Sequence, residues 1–353
     1  MRKGSVSMKD IAMRLNVHVS TVSLALRDDS RISSARRLLI KRAAEEMGYR
    51  KNPLISSLMM SRRSSQPLNR YLTIAYARSL PHANGWMEGD ATVDQFYASA
   101  VERAAEQGFN MQLFDPMADR ICLERFTKIL ESRGISGLIV GPVKDVFPAS
   151  NELYSRLTMV SLGRRLPVPG INRVAVDHSQ CVRLALKKCA DAGYKRVGFC
   201  VPEQFYEGAW EDTVGPYLAW STDGPHQYFE NLPVFDFRKG TKDPFKKWLE
   251  STRPEVLLTN IPERVLPLLS DYGIHVPDEL PVILIGKNDF GSAYAGVQFD
   301  YSGVGSLAAD LVISSLLRNE CGIPAHSVEM LLTGNWVGGP SFPEVNRKLK
   351  QTL

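Results

Sequence analysis

The chain has 353 residues, 44% of them apolar and 23% charged, the make-up of a globular protein with room for two or three domains. No apolar run approaches the roughly 20 residues that a membrane helix needs. No apolar core follows the basic start MRKGSVSMKD, as a secretory signal would require. The five cysteines (Cys122, Cys181, Cys189, Cys200, Cys321) are scattered without a CxxC pair, which speaks for a reducing cytoplasm and against a disulfide framework or a zinc site. The net charge of +5 is unevenly spread: residues 1–63 carry 14 Lys and Arg against 5 Asp and Glu, and the remainder is mildly acidic. A basic head on an acidic body points to a polyanion-binding module joined to one with another task.

In chain order, SVSMKDIAMRLNVHVSTVSLALRDDSRISSARRLLIKRAAEEMGY predicts three short helices. Ser7 followed three residues later by Asp10 forms a capping box, and Ile11, Ala12 and Leu15 make the inner face of the first helix. Asn16 can take the left-handed conformation that ends it. A second helix runs from about Val19 to Leu26, with Val22, Ala25 and Leu26 inward. Ser33 caps a third, with Leu38, Leu39, Ala43 and Met47 inward, ending at Gly48. Two short helices around a tight turn, braced by a third, make a helix-turn-helix.

The stretch VSMKDIAMRLNVHVSTVSLAL, followed by RISSARRLLIKRAAEEMGY, resembles the DNA-binding domain of the lactose-repressor (LacI) family of bacterial regulators. The family pattern is V-[ST]-x-x-D-[IV]-A, then V-S-x-x-T-V-S, then a serine-capped helix ending in G-Y. The resemblance implies that the second helix enters the major groove. Val19, Ser20 and Leu24 then reach base edges, while Thr21 and Ser23 contact phosphates, with Ser7 and His18 at the helix N-termini beside them. His18 stands where the family usually has a capping serine. Leu24 stands where many members carry an arginine that reads guanine. Leucine cannot make that bidentate contact, which favours thymine methyls instead; a partly buried packing role for Leu24 stays open.

Next comes NPLISSLMMSRRSS. Asn52 can cap and Pro53 suits the first helical position, while Ile55, Leu58 and Met59 share one face. Such a helix is too short to be stable alone in water. By resemblance it is the family's hinge, which folds when two copies meet over the minor groove. Leu58 matches the leucine that wedges between base pairs, and Arg62 lies near phosphates. An ordinary linker with incidental apolar residues is the alternative.

From Tyr71, short buried strands (YLTIAYA, NMQLFD, ISGLIVGP, LTMVSLG, RVAVD, KRVGFCV, EVLLTN, PVILIG) alternate with amphipathic helices. This pattern means parallel sheets, here two. The order resembles the regulatory core of the same family, whose architecture is the periplasmic-binding-protein-like type I fold. The expected whole is thus an all-α helix-turn-helix head (1–50), a hinge and linker (51–70), and an α/β body of two parallel-sheet subdomains. The first subdomain spans 71–190 plus 299–327 and the second 191–298 plus 328–353, with crossings near 190, 298 and 327.

The resemblance places a small ligand in the cleft between the subdomains, at the strand ends. Carried over position by position, Asp177, Asn260, Asn288 and Gln298 are its candidate contacts. The arginine expected early in the second subdomain is not evident, and Trp210 stands nearby. Trp86, in the long segment 79–95, is a candidate aromatic lid. Each polar residue of this set also reads as a strand-end cap or surface group.

No GxSxG, HExxH or phosphate-loop pattern occurs, so no catalytic residue, metal site or cofactor is expected. Head, hinge and cleft together suggest a cytoplasmic, homodimeric transcription regulator, a repressor of the LacI kind. Its expected partners are a near-palindromic double-stranded DNA operator and a carbohydrate effector. An architectural DNA-bending protein with a vestigial cleft is the alternative.

Overall fold

The computed structural model describes residues 6–26, 29–47, 49, 72–78, 91–116, 121, 123–142, 157–164, 170–202, 209–221, 228–237, 242–286 and 293–343. The expected hinge, with Asn52, Leu58 and Arg62, lies outside the described residues, as do Trp86 and Asn288.

The head holds α1 (Met8–Arg14), α2 (Val19–Ala25) and α3 (Ser34–Glu46). The capping box forms as the sequence predicts: the Ser7 hydroxyl accepts the Asp10 N–H at 3.3 Å, and Asp10 Oδ2 accepts the Ser7 N–H at 2.7 Å. Asn16, at φ 48°, ends α1 in the left-handed region. Ile11, Ala12, Val22, Ala25, Ile40 and Ala44 form the core, where three alanines let the helices cross closely.

Two expectations about α3 are corrected. Leu38 and Leu39 are not inward but 71% and 58% exposed; the inward face is Ile40, Ala43 and Ala44. The run RRLLIKRAA fits helical registers one or two residues apart, and packing against the alanine-lined α1–α2 corner selects the one that buries Ile40. Ser33 stands at the N-cap but makes no side-chain cap bond.

The body alternates strands and helices as expected. In chain order these are β1 (Thr73–Ala77), α4 (Ala91–Glu106), β2 (Asn110–Phe114), α5 (Leu123–Ser132), β3 (Gly137–Val140), β4 (Thr158–Leu162), β5 (Asn172–Val176) and α6 (His178–Asp191). There follow β6 (Val197–Val201), α7 (Ala209–Ser221), β7 (Phe235–Asp236), α8 (Lys242–Thr252), β8 (Val256–Thr259), α9 (Pro262–Asp271) and β9 (Val282–Ile285). Last come β10 (Ala295–Gln298), α10 (Tyr301–Leu317), β11 (Glu329–Leu332) and β12 (Asn335–Val337). One six-stranded sheet runs β11-β5-β4-β3-β1-β2 and is parallel throughout. The other runs β12-β10-β9-β8-β6-β7, with only β12 antiparallel. Central strands such as GLIV, VLLT and VILI are buried along their whole length, as parallel strands covered on both faces must be.

The chain passes between the sheets three times, and two passages differ from expectation. The first falls at Asp177 rather than near 190. Helix α6 already packs on β9, β10 and β12 of the second sheet, burying Cys181, Val182, Ala185, Leu186 and Cys189 there. The second falls at 299–300, beside the expected 298. The third falls at 333–334 rather than near 327, because β11 joins the first sheet: Arg173 N–H bonds Val328 O and Asp177 N–H bonds Leu332 O, each at 2.8 Å. As an edge strand, β11 alternates exposed and half-buried residues, so its sequence lacks the apolar run of a core strand. All three passages leave a strand at its C-terminal end. The C-terminal ends of both sheets therefore border one cleft.

Close backbone approaches hold the passages. Gly286, at φ 89°, seats the Phe299 ring where a Cβ would come within 2.4 Å of it, and the Tyr301 hydroxyl donates to Gly286 O at 3.2 Å. Gly334 N–H donates to Cys181 Sγ at 3.2 Å. Cys181, Cys189 and Cys200 are buried free thiols, and burial pushes the Cys181 thiol up to about 11. Among the described residues no helix is long and apolar enough to cross a membrane.

Candidate functional site

Two sets of residues are candidates, one on the head and one in the cleft. On the head, α2 is capped by His18, whose Nδ1 accepts the Ser20 N–H at 3.3 Å and lies 2.8 Å from Ser20 Oγ. A histidine thus does the work of the expected serine. His18 and Ser20 are exposed, and Thr21, Ser23 and Leu24 half-buried. Val19 packs against the head's core, which leaves it less side chain to offer a partner than Ser20 has. Ser7 has its N–H and hydroxyl both on Asp10, and that hydroxyl holds the Asp10 carboxyl below its usual range.

In the cleft, Asp177 caps α6, its Oδ1 accepting the Gln180 N–H at 2.9 Å. Asn260 follows β8, half-buried, and its Oδ1 is enclosed without a hydrogen-bond partner among the described residues. Gln298 ends β10 at the second passage, in register with Asn335. Trp210 is the second residue of α7. Asp177, Asn260 and Gln298 thus lie at or just past the C-terminal ends of β5, β8 and β10.

Other polar residues near the C-terminal ends of the strands were not singled out in the sequence. Tyr76, next to last in β1, is buried; its ring meets Tyr97 edge-on at 5.1 Å. Its hydroxyl lies over Gly141, where a Cβ would be 3.3 Å away, and has no partner among the described residues. Burial pushes this phenol well above its usual pKa, so it stays protonated. Ser161, next to last in β4, is likewise buried and unpartnered, on the opposite face of the sheet by register. The signal was a polar residue near the C-terminal end of an otherwise apolar strand, as in YLTIAYA and LTMVSLG.

An ion cluster spans the cleft. Arg164, just past β4, makes a two-pronged bond with Glu329 of the same subdomain, at 2.8 and 3.1 Å. Its third contact is an ion pair with Asp212, on α7 of the second subdomain. Ser179 Oγ donates to Asp212 O at 3.0 Å. His178 lies beside this cluster, its ring edge-on to Phe299 at 5.1 Å, and burial pushes its imidazole below its usual range against the opposing pull of Asp212. The first turn of α7, where the resemblance leads one to look for an arginine, is acidic, with Glu211 and Asp212.

Comparison with known proteins agrees with this architecture. Residues 7–52 match the family described as bacterial regulatory proteins, lacI family. The HTH-type transcriptional repressor CytR of Escherichia coli (strain K12) is 24% identical over 207 residues, 57% of this chain and 55% of that protein. The chain thus spans a little over half the length of this relative. The fold of the transcriptional regulator CelR in its cellobiose complex superposes with a TM-score of 0.55 at 18% identity, over 96% of this chain and 100% of the other. The lac repressor dimer bound to operator and the anti-inducer ONPF gives 0.52 at 16% identity, over 96% and 99%. The head thus matches the lacI family model over residues 7–52, and the body shares the fold of these regulators.

Proposed function

We propose that this chain is a sequence-specific DNA-binding transcription regulator, a repressor, controlled by a small neutral polyhydroxylated effector of the carbohydrate kind. The observation that carries the DNA half is α2 itself: a helix capped by His18 that turns Ser20 to solvent on a head with an excess of basic residues. Helix N-terminal residues that reach base edges, with basic side chains around them for phosphates, are what groove recognition needs. The effector half rests on Tyr76 and Asn260, buried polar atoms near C-terminal strand ends that lack partners among the described residues and that a hydroxyl-rich ligand would satisfy.

Two copies bind a near-palindromic operator, one head per half-site. Residues 51–70, read from sequence as the hinge, couple the two functions. The effector changes the angle between the subdomains and thereby the separation of the two linkers, which favours or disfavours the folding of the hinge over the operator's centre. Leu58 inserts at the central base step, and Arg62 contacts phosphate. Leu58→Ala should abolish the bend and weaken operator binding while sparing effector affinity; unchanged affinity and bend would refute the hinge assignment.

The decisive experiment is retention of genomic fragments by the purified full-length chain at two salt concentrations, followed by sequencing. A shared palindrome retained at the higher salt is the expected result. Binding that disappears with salt and leaves no shared motif would instead make the protein an architectural DNA binder.

A further inference from the structure

The contact between His18 and Ser20 fixes more than the start of a helix. The Ser20 N–H, whose direction the backbone sets, points at His18 Nδ1 from 3.3 Å. A ring nitrogen receives this hydrogen only through its lone pair, which assigns the ring hydrogen to Nε2. The same Nδ1 lies 2.8 Å from Ser20 Oγ. In that tautomer the hydroxyl supplies the hydrogen of this contact, Ser20 O–H and N–H sharing the one Nδ1 lone pair. A serine hydroxyl has one hydrogen and two lone pairs. Its hydrogen is spent on the ring, and only the lone pairs face outward from exposed Ser20.

We propose that His18 polarises Ser20 into an acceptor-only reader of the major groove, and so selects a base that presents an exocyclic amino group, adenine N6 or cytosine N4. Guanine and thymine offer acceptors alone at these positions, and an acceptor set against an acceptor leaves both unpaired. An ordinary capping serine at position 18 would leave the Ser20 hydroxyl free to rotate and to serve either class of base. His18 is therefore a positioning residue: it contacts no base, yet it decides which base Ser20 accepts. The proposal rests on reading α2 as the base-contacting helix.

The test is selection of bound duplexes from a randomised pool by the full-length protein, for the wild type, H18S, H18N and S20A. Serine and asparagine both cap well, so a folding failure in one variant leaves the other, and circular dichroism checks each. In the wild type, one symmetry-related pair of positions should prefer adenine or cytosine over guanine or thymine by about three- to tenfold, the worth of one neutral hydrogen bond. That preference should fall to about onefold in S20A and in the His18 variants, with the rest of the motif retained. A wild-type preference for guanine or thymine at the position that S20A flattens would overturn the polarity argument and leave the base-reading helix standing. His18 variants that keep the wild-type preference would overturn it as well. A motif identical in S20A and wild type would overturn both the proposal and the assignment of Ser20 as a base reader.

Discussion

The head and the cleft handle polar groups in opposite ways. On the head, side chains along and beside α2 are engaged within the chain yet open to water: Ser7 with Asp10, His18 with Ser20, Arg14 with Glu46, Arg31 with Asp29. Near the C-terminal strand ends of the body, where the cleft is proposed, Tyr76 Oη, Ser161 Oγ and Asn260 Oδ1 are shut away from water without a partner among the described residues. A surface that meets a polyanion keeps its donors hydrated until the partner arrives, so its shape can be set in advance at little cost. A site of the kind proposed for the cleft has already lost water, at about 1–3 kcal/mol for each unsatisfied group, and would recover that only when a ligand supplies the missing bond. One region stores order and the other stores unmet hydrogen bonds.

The comparison breaks most severely if the head's order is removed. Six small or medium apolar residues make its core, and Ile11, fully buried, is the largest of those on α1. Ile11→Ala should cost about 2–5 kcal/mol, a large part of what so small a domain can possess. The head should then melt at or below growth temperature and operator binding should vanish, while the body's unfolding transition and its effector binding persist. Urea titration followed by far-ultraviolet dichroism, with operator binding in parallel, checks this. A single transition that moves as a whole would mean that the head has no stability of its own.

In the cleft the sign should invert. Tyr76→Phe removes a hydroxyl that has no partner among the described residues and leaves the ring, its edge contact with Tyr97 and its burial intact. Without ligand the variant should be more stable by about 1 kcal/mol, whereas effector affinity should drop roughly tenfold through loss of a buried bond. Urea midpoints and calorimetric titration with candidate sugars separate the two effects. Loss of stability on removing the hydroxyl would show that it is satisfied in solution and is no mark of a ligand site.

The two regions also differ in how far their sequences disclose them. The head's features are local: Ser7 and Asp10 are three residues apart, His18 and Ser20 two, and Asn16 ends its helix by its own conformation, so helix starts and stops stand in the sequence. The error at Leu38 and Leu39 arose where local information ends, since two helical registers were equally apolar and only contact with α1 and α2 decides between them. The body's buried strands were plain as apolar runs. The passages at Asp177 and at 333–334 were not, because the side of the molecule on which α6 and β11 pack is a tertiary choice. The cleft pairs are more remote still: Arg164 lies 48 residues from Asp212 and 165 from Glu329, and nothing in GRRLP or WEDT marks them as neighbours.

The Arg164 cluster is where the smallest effect should carry the most information. Glu329 holds the guanidinium from within its own subdomain, by two bonds, and orients it; Asp212 receives it from across the cleft. All three side chains are partly exposed, at 31%, 23% and 38% for Arg164, Asp212 and Glu329, so water screens the pair and its worth is about 1 kcal/mol or less. That is little beside the stability of a domain. It is comparable, however, with the bias between two subdomain angles in an allosteric protein, where a few kcal/mol separate the states. Asp212→Asn keeps the shape of the side chain and removes the charge. It should leave the urea midpoint nearly unchanged, while shifting effector affinity by about two- to fivefold and changing operator affinity by a comparable factor, since the same angle sets both. Glu329→Gln, which disturbs the arginine without cutting the bridge between subdomains, should do less to the coupling between effector and operator. Measuring operator affinity with and without effector for both variants decides the matter. Equal coupling in the two would mean that Arg164 serves only the first subdomain, and that the angle is set by the packed passages around Gly286, Phe299 and Gly334.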